Sequence, residues 1–172
     1  FLASATPVPD IVALGATLQS DGIVRLNSTG VFSVAVVNLG AVDDVTVSAD
    51  TGAAALPVDV ALCETNPATA ACISEIGATV TTRIEMNATP TFGVFVTGSG
   101  DVPFDPANNR INIRFRDAGD RTVGATSVAV RSGGQAQITA HAFRENSQTP
   151  AGAGIALSVG GTEQGVTADD GP

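Results

Sequence analysis

Regular alternation between apolar and polar residues, interrupted by turn residues about every eight to twelve positions, is the feature that most constrains this chain. A period of two residues is typical of a β-strand, because successive side chains point to opposite faces of a sheet. No segment has the spacing of a long helix. The sequence therefore predicts an all-β fold, a sandwich or a barrel. Strands are predicted at residues 9–18, 23–26, 31–38, 45–49, 58–64, 79–85, 91–97, 110–116, 122–131, 135–143, 155–159 and 166–168.

Short runs of Gly, Asn, Asp and Ser separate several of these strands. Such residues supply the positive φ angles or the side-chain hydrogen bonds of tight turns. We interpret them as hairpin connections, which join antiparallel neighbours, and we expect two antiparallel sheets packed face to face. The runs are Ser20-Asp21-Gly22, Asn38-Leu39-Gly40, Gly98-Ser99-Gly100 and Asp117-Ala118-Gly119-Asp120.

The charge balance is acidic. Seventeen acids stand against eight bases, all of them arginine, which gives a formal net charge of −9. A negative surface repels phosphate backbones, so we expect no nucleic-acid partner. The longest uncharged stretches are broken by Gly, Thr, Pro or Asn well before about 18 apolar residues accumulate, so we predict no membrane-spanning helix.

A boundary between two structural units is predicted at Ser132-Gly133-Gly134, where one alternating run stops and another begins. We divide the chain into a sandwich at residues 1–131, a linker at 132–134 and a short second all-β unit at 135–172. A three-stranded remainder cannot cover its own apolar face. It must pack on the first unit, pair with another chain or be part of something longer.

The second unit has a recognisable order of motifs. Its runs GQAQITAHAF (134–143), SQTP (147–150), GIALSVGG (154–161) and GVTADDG (165–171) resemble the opening half of a bacterial Ig-like domain of the invasin kind. The remaining strands of that domain are missing, so the resemblance implies a partial or complementing Ig-like unit.

The first unit carries a second resemblance. Its runs PVPDIVAL (7–14), CETNPAT (63–69), VPFDPANNR (102–110) and GATSVAVR (124–131) resemble an Ig-like module of very large, secreted proteobacterial surface proteins. The resemblance implies an Ig-like β-sandwich, an extracellular or cell-surface location and a structural or adhesive role. It implies no catalytic residues.

Cys63 and Cys72 flank Asn66-Pro67-Ala68-Thr69, a favourable type I turn. Facing positions on the arms of such a hairpin lie within disulfide reach. Closing a loop of about ten residues stabilises a fold by roughly 2.5 to 3 kcal/mol on the chain-entropy model. A metal or redox pair is the alternative, but the spacing fits neither Cys-x-x-Cys nor a zinc knuckle. We predict a disulfide, and with it an oxidising compartment.

The strand at residues 110–116 alternates most sharply. It sends Ile111, Ile113 and Phe115 to one face and Arg110, Arg114 and Arg116 to the other. Guanidiniums about 7 Å apart at successive same-side positions, or about double that across Asn112, could bind an acidic glycan or the acidic N-terminal third of a neighbouring subunit. The alternative is a solvated face balanced by nearby acids.

No residue set points to catalysis or to a resident cofactor. His141, the one histidine, lies in an alternating strand without partners for a metal site or a catalytic triad. The chain lacks Trp and Tyr, and its seven Phe are placed like core residues, so we expect no glycosidase cleft. Carboxylates cluster at predicted loops, where they suit turn chemistry, with calcium binding as the alternative. These clusters are Asp43-Asp44, Asp101 with Asp105, Asp117 with Asp120, and Asp169-Asp170.

Two sequons, beginning at Asn27 and Asn87, are candidate glycosylation sites. Together these features predict a non-enzymatic structural or adhesive module of a secreted cell-surface assembly. An unpaired strand edge would let it self-associate as a filament subunit by strand complementation, with residues 1–9 as donor strand or linker. The alternative function is acidic-glycan binding through the Arg110 to Arg116 strand face.

Overall fold

The structure, a computed structural model, describes residues 7–133 in full and, further along the chain, the backbone of residues 139–143, 154–159 and 162–166. The chain divides into two compact units, Phe1–Gly133 and Gly134–Pro172. All regular structure in the described residues is β-strand, which confirms the predicted all-β fold. This described part contains no helix that is long and apolar enough to cross a membrane.

The first unit is a sandwich of two sheets. The four-stranded sheet has the order β1-β3-β7-β5, and the five-stranded sheet has the order β2-β9-β8-β4-β6. The strands are β1 (Ile11–Thr17), β2 (Ile23–Leu26), β3 (Thr29–Asn38), β4 (Asp43–Asp50), β5 (Val58–Thr65), β6 (Thr79–Ile84), β7 (Thr91–Gly98), β8 (Arg110–Arg116) and β9 (Thr122–Ser132).

The core lies between the two sheets and follows the predicted alternation. Buried positions recur every second residue along β3 and β8, and branched side chains of both sheets are fully buried there. Phe92 of β7 meets Phe115 of β8 edge to face, with ring centroids 5.8 Å apart. This contact joins the central strands of the two sheets.

The predicted hairpins are wrong at three of the four turns. The turns at residues 20–22 and 38–40, and the one that begins at Gly98, each lead from one sheet to the other. Only the turn at residues 117–120 joins sheet neighbours, β8 and β9. The sheets are also not wholly antiparallel, because β2 pairs with β9 in parallel. Turn residues mark where a chain reverses, but they do not specify which sheet the next strand joins.

Asn38 shows why one of these turns crosses between sheets. Its side chain is fully buried at the end of β3. Its Oδ1 accepts hydrogen bonds from the amides of Asp10 (3.1 Å) and Gly40 (3.0 Å). Its Nδ2 donates to the carbonyls of Ala41 (2.8 Å) and Ile84 (3.1 Å). The residue therefore links the entry to β1, the crossover to β4 and the end of β6.

The last residues of the first unit are held within it. Ser132 and Val102 exchange two hydrogen bonds, and the Gly133 amide donates to the Leu26 carbonyl. Two of the three residues that the sequence analysis assigned to a linker are therefore bonded in the first unit. The start of the described chain is held similarly, because the Val8 and Asp10 carbonyls accept hydrogen bonds from the amides of Ala41 and Leu39; residues 1–6 of the predicted donor segment lie outside the described residues.

The second unit contains a three-stranded antiparallel sheet with the order β10-β11-β12. Its strands are β10 (Thr139–Phe143), β11 (Gly154–Val159) and β12 (Thr162–Val166). The last strand ends where the sequence prediction, 166–168, began it. β12 begins at Thr162, and the Gly160-Gly161 pair of the predicted motif lies outside the described residues.

Candidate interaction surfaces

Arginine is concentrated on the outer face of the five-stranded sheet, which we name the arginine face. Strand pairing places six of the eight arginines there, opposite the core side of the sheet. They are Arg25, Arg83, Arg110, Arg114, Arg116 and Arg131. The structure thus gathers the three arginines of the predicted partner-binding strand with three that the sequence analysis did not connect to them.

Most of these guanidiniums are bonded within the chain. Arg114 forms an ion pair with Asp50 of β4, and its hydrogen bond lowers the pKa of the Asp50 carboxyl. Arg110 donates to Ser127 and to the Pro106 carbonyl. Arg116 forms a long ion pair, 3.6 Å from Asp120, a residue whose side chain is 86% exposed. An acidic ligand on this face would compete with these internal acceptors.

Arg131 is arranged differently. Its guanidinium carbon lies 5.5 Å from the centre of the Phe104 ring, which is within cation–π distance. Phe104 is 56% exposed, so the expectation that every Phe is a core residue is wrong at this position. The ring covers a charged neighbour instead of filling the space between the sheets.

The predicted disulfide between Cys63 and Cys72 is present. Cys63 is buried in β5, and Cys72 lies on a segment that returns alongside that strand. We name residues 71–77 the guard segment. The Ile73 amide donates to the Glu64 carbonyl, and Leu62 and Gly77 exchange two backbone hydrogen bonds. The guard segment therefore pairs with the outer edge of β5, and the disulfide fixes it there.

The other sheet edges differ in how far they are protected. β1 lies against β9, since a Cβ added to Gly15 would be only 2.9 Å from Val128 Cγ1. β2 has four residues, and Arg25 within it forms an ion pair with Asp21 at 2.7 Å. β6 has six residues paired with β4 on one side. Among residues 7–133, no backbone group pairs with the other side of Thr79–Ile84, which we name the β6 edge.

Asp105 and Asp117 of the predicted loop clusters take part in turns, whereas the loop prediction is wrong for Asp43 and Asp44, which begin strand β4 and pair with β6. The Asp117 side chain is almost fully buried and accepts hydrogen bonds from the amides of Gly119 and Arg121, both at 2.9 Å. Asp105 accepts from the amide and the side chain of Asn108. Within residues 7–133, no three His, Cys, Asp or Glu side chains converge as a metal-binding group. The side chains of His141, Asp169 and Asp170 lie outside the described residues.

The two candidate glycosylation residues are both exposed. Asn27 precedes β3, and its Oδ1 lies only 1.8 Å from where a Cβ on Gly133 would stand. Asn87 has a φ of 63° in the turn between β6 and β7. Its side chain is open to solvent, whereas Asn27 lies beside the end of the first unit.

The sequence analysis missed the outer face of the four-stranded sheet, which we name the uncharged face. Strand pairing places Val12, Leu14, Ala35 and Phe95 on it, and Asp59 at one corner is its one charged residue. Leu14 is 70% exposed and Val12 is 53% exposed. The sequence did carry a signal for this face. Both the odd-numbered and the even-numbered residues of 11–16 are uncharged and mostly apolar. A strand with one solvated face normally alternates between apolar and polar residues.

Comparison with known proteins does not assign the chain to a family. No protein-family model matches it. No curated protein sequence matches it either. Among solved structures, a β-glucosidase from Listeria innocua in complex with glucose is similar at 11% sequence identity, with a TM-score of 0.33. The match covers 73% of this chain but only 16% of the β-glucosidase chain, and at that score it carries no argument.

Proposed function

We propose that this chain is a non-enzymatic structural or adhesive module of a secreted bacterial cell-surface assembly, and that it self-associates by strand addition. The β6 edge is the observation that carries the proposal. An open edge presents unpaired N–H and C=O groups, which another chain satisfies by adding a strand. The disulfide supports export, because such bonds persist in oxidising compartments.

The four sheet edges differ in how open they are to an added strand, and the β6 edge is the most open. The guard segment occupies the β5 edge, β1 packs on β9 and β2 is short. The β6 edge runs Thr-Val-Thr-Thr-Arg-Ile, with no Pro and one charge, at Arg83. β-Branched residues suit strand pairing. Arg83 forms ion pairs with Asp44 and Glu85. The stretch from Thr79 to Thr82 carries no charge.

Charged substitutions on the β6 edge test the proposal. Thr79 and Thr81 are exposed, so Thr79→Lys with Thr81→Lys leaves the core untouched and places two charges where a strand would dock. We expect association, measured by sedimentation velocity and electron microscopy of the full chain, to weaken at least about tenfold, the change that about 1.4 kcal/mol produces.

Thr69→Lys is the matched control, because Thr69 is exposed in a turn that belongs to no sheet edge. It should associate like the wild type. A wild-type chain that stays monomeric at high concentration, or a double variant that assembles as the wild type does, would overturn strand addition at this edge.

A further inference from the structure

Two arginines on the arginine face have no carboxylate partner within residues 7–133. The other four of that face form ion pairs with aspartate or glutamate side chains, whereas Arg110 and Arg131 form none. Acids are plentiful in a chain with a formal net charge of −9, and Asp101 and Asp105 lie in the loop that precedes Arg110. Asp105 is bonded to Asn108 instead. The described chain therefore leaves two positive charges uncompensated on this face.

Arg110 and Arg131 are diagonal neighbours in the five-stranded sheet. Arg110 of β8 lies opposite Ala129 of β9, and Arg131 follows two residues later on the same side of that strand. Diagonal positions of an antiparallel pair are about 7 to 8 Å apart, which is within reach of long side chains. One anionic group between the two guanidiniums would accept charge-assisted hydrogen bonds from both.

Neutral groups hold both guanidiniums in place. Arg110 donates through Nε to Ser127 Oγ (2.9 Å) and through its other nitrogens to the carbonyls of Pro106 (2.8 Å) and Ser127 (3.0 Å). These acceptors orient the Arg110 guanidinium without cancelling its charge. Arg131 lies against the Phe104 ring, and within the described residues its buried Nε has no hydrogen-bond partner. A buried donor without an acceptor costs stability, so the Arg131 guanidinium gains from an added acceptor.

A cleft of about 370 Å³ adjoins Arg110 and indicates the class of the ligand. Its other polar side chains are Thr51, Asn108 and Asn112, and its remaining residues are glycine and alanine. The Nδ2 group of each asparagine donates to an aspartate within the chain, which leaves its Oδ1 as an acceptor. Sugar hydroxyls donate to such oxygens, and a sugar carboxylate accepts from a guanidinium.

We propose that Arg110 and Arg131, together with this cleft, bind an acidic saccharide, a sugar chain that carries carboxylate groups. Arg110 stands between the cleft and Arg131, so the ligand spans about two strand spacings, or roughly 10 Å. The exposed Phe104 ring beside Arg131 offers an apolar surface for a sugar ring. The site lies on β8 and β9, away from the β6 edge, and its binding does not depend on strand addition.

An NMR titration of the isotope-labelled full chain with a short uronic-acid oligomer is the test. We expect a dissociation constant on the order of 1 mM at about 10 mM salt, with weaker binding at higher salt. The neutral oligomer of the same length should not bind measurably. Chemical-shift changes should map to residues 51–54, 104–112 and 129–132. Arg110→Gln and Arg131→Gln should each weaken binding at least about tenfold, because each removes charge-assisted hydrogen bonds.

Arg116→Gln is the matched control, because Arg116 lies on the same face at the opposite end of β8 and is paired with Asp120. It should bind like the wild type. The wild-type shift map decides the question even if a variant fails to fold. The proposal is overturned if the acidic oligomer does not bind, if the neutral oligomer binds equally, if the shift changes map elsewhere, or if Arg116→Gln weakens binding as much as Arg110→Gln. A glutamate peptide that binds the same residues more tightly would assign the site to an acidic protein segment and would overturn the saccharide.

Discussion

Asn38 is a buried polar residue whose side chain joins separate segments of the described chain. A fully buried amide is tolerated only when its hydrogen-bonding groups are satisfied, and this side chain makes four hydrogen bonds to backbone groups. Those groups belong to three separate segments of the chain. The side chain therefore fixes how the crossover leaves β3.

Replacing Asn38 tests that role. Asn38→Ala leaves two partly buried amides and two carbonyls without their partner, and we expect a loss of about 2 to 4 kcal/mol in the free energy of unfolding in urea. Asn108→Ala, at an exposed turn residue, is the control and should cost less than about 1 kcal/mol. Equal losses in the two variants would show that the four hydrogen bonds contribute little.

Asp117 makes the stability of the fold depend on pH. Its backbone hydrogen bond from Arg121 is the largest cause that lowers the pKa of this carboxyl below the ordinary value of 3.8, and the Arg121 side chain lowers it further. A lowered folded pKa means that the ionised form is favoured in the native state. Its contribution to stability is present above the unfolded pKa and is lost as the pH falls through the folded pKa.

The expected result is an acid-sensitive turn between β8 and β9. We expect the free energy of unfolding to fall between about pH 4 and pH 2, and Asp117→Asn to reduce that dependence because Asn cannot gain or lose the charge. Urea unfolding across this range is the measurement. Asp101→Asn, at an exposed carboxylate, is the control. A slope that is unchanged in Asp117→Asn would assign the acid sensitivity to other carboxylates.

At the scale of elements, the guard segment and β5 form one disulfide-closed unit. Replacing both Cys63 and Cys72 with Ala should lower the free energy of unfolding by roughly 2.5 to 3 kcal/mol. It should also increase hydrogen exchange at the Leu62, Ile73 and Gly77 amides, because their backbone hydrogen bonds would open locally before the sandwich unfolds. Amides of the central strand β7 serve as the internal reference. Unchanged exchange at those three amides would mean that the hydrogen bonds alone hold the guard segment.

Strand positions were predictable because burial of one sheet face makes apolar residues recur at every second position of the sequence. The sequence predictions at 23–26 and 110–116 match β2 and β8 residue for residue. Strand pairing was not predictable, because a Gly or Asn turn looks alike whether the next strand stays in the sheet or crosses to the other one. Asn38 is the example: its turn chemistry was visible in the sequence, whereas its four partners come together only in the folded chain.

The candidate surfaces were also predictable only in part. Local spacing predicted the Cys63–Cys72 disulfide and the arginine strand β8. The ion pair of Arg114 with Asp50 joins residues 64 positions apart, and no local pattern indicates it. The uncharged face comes from β1, β3, β7 and β5 together, so it became visible only once the strand order was known.

Ionic strength distinguishes the two faces at the scale of the whole molecule. Copies with a net charge of −9 repel one another, and salt screens that repulsion over a Debye length of about 10 Å at 0.1 M. Contact through an uncharged surface, such as the stretch from Thr79 to Thr82 of the β6 edge, should therefore strengthen as sodium chloride rises from about 10 to 150 mM, and sulfate should strengthen it further by favouring apolar burial. Contact that relies on arginines of one copy and acids of another should weaken over the same range, because salt screens attraction as well. Sedimentation equilibrium of the wild-type chain across these conditions measures the sign, and association that falls with added chloride would place the contact on the arginine face.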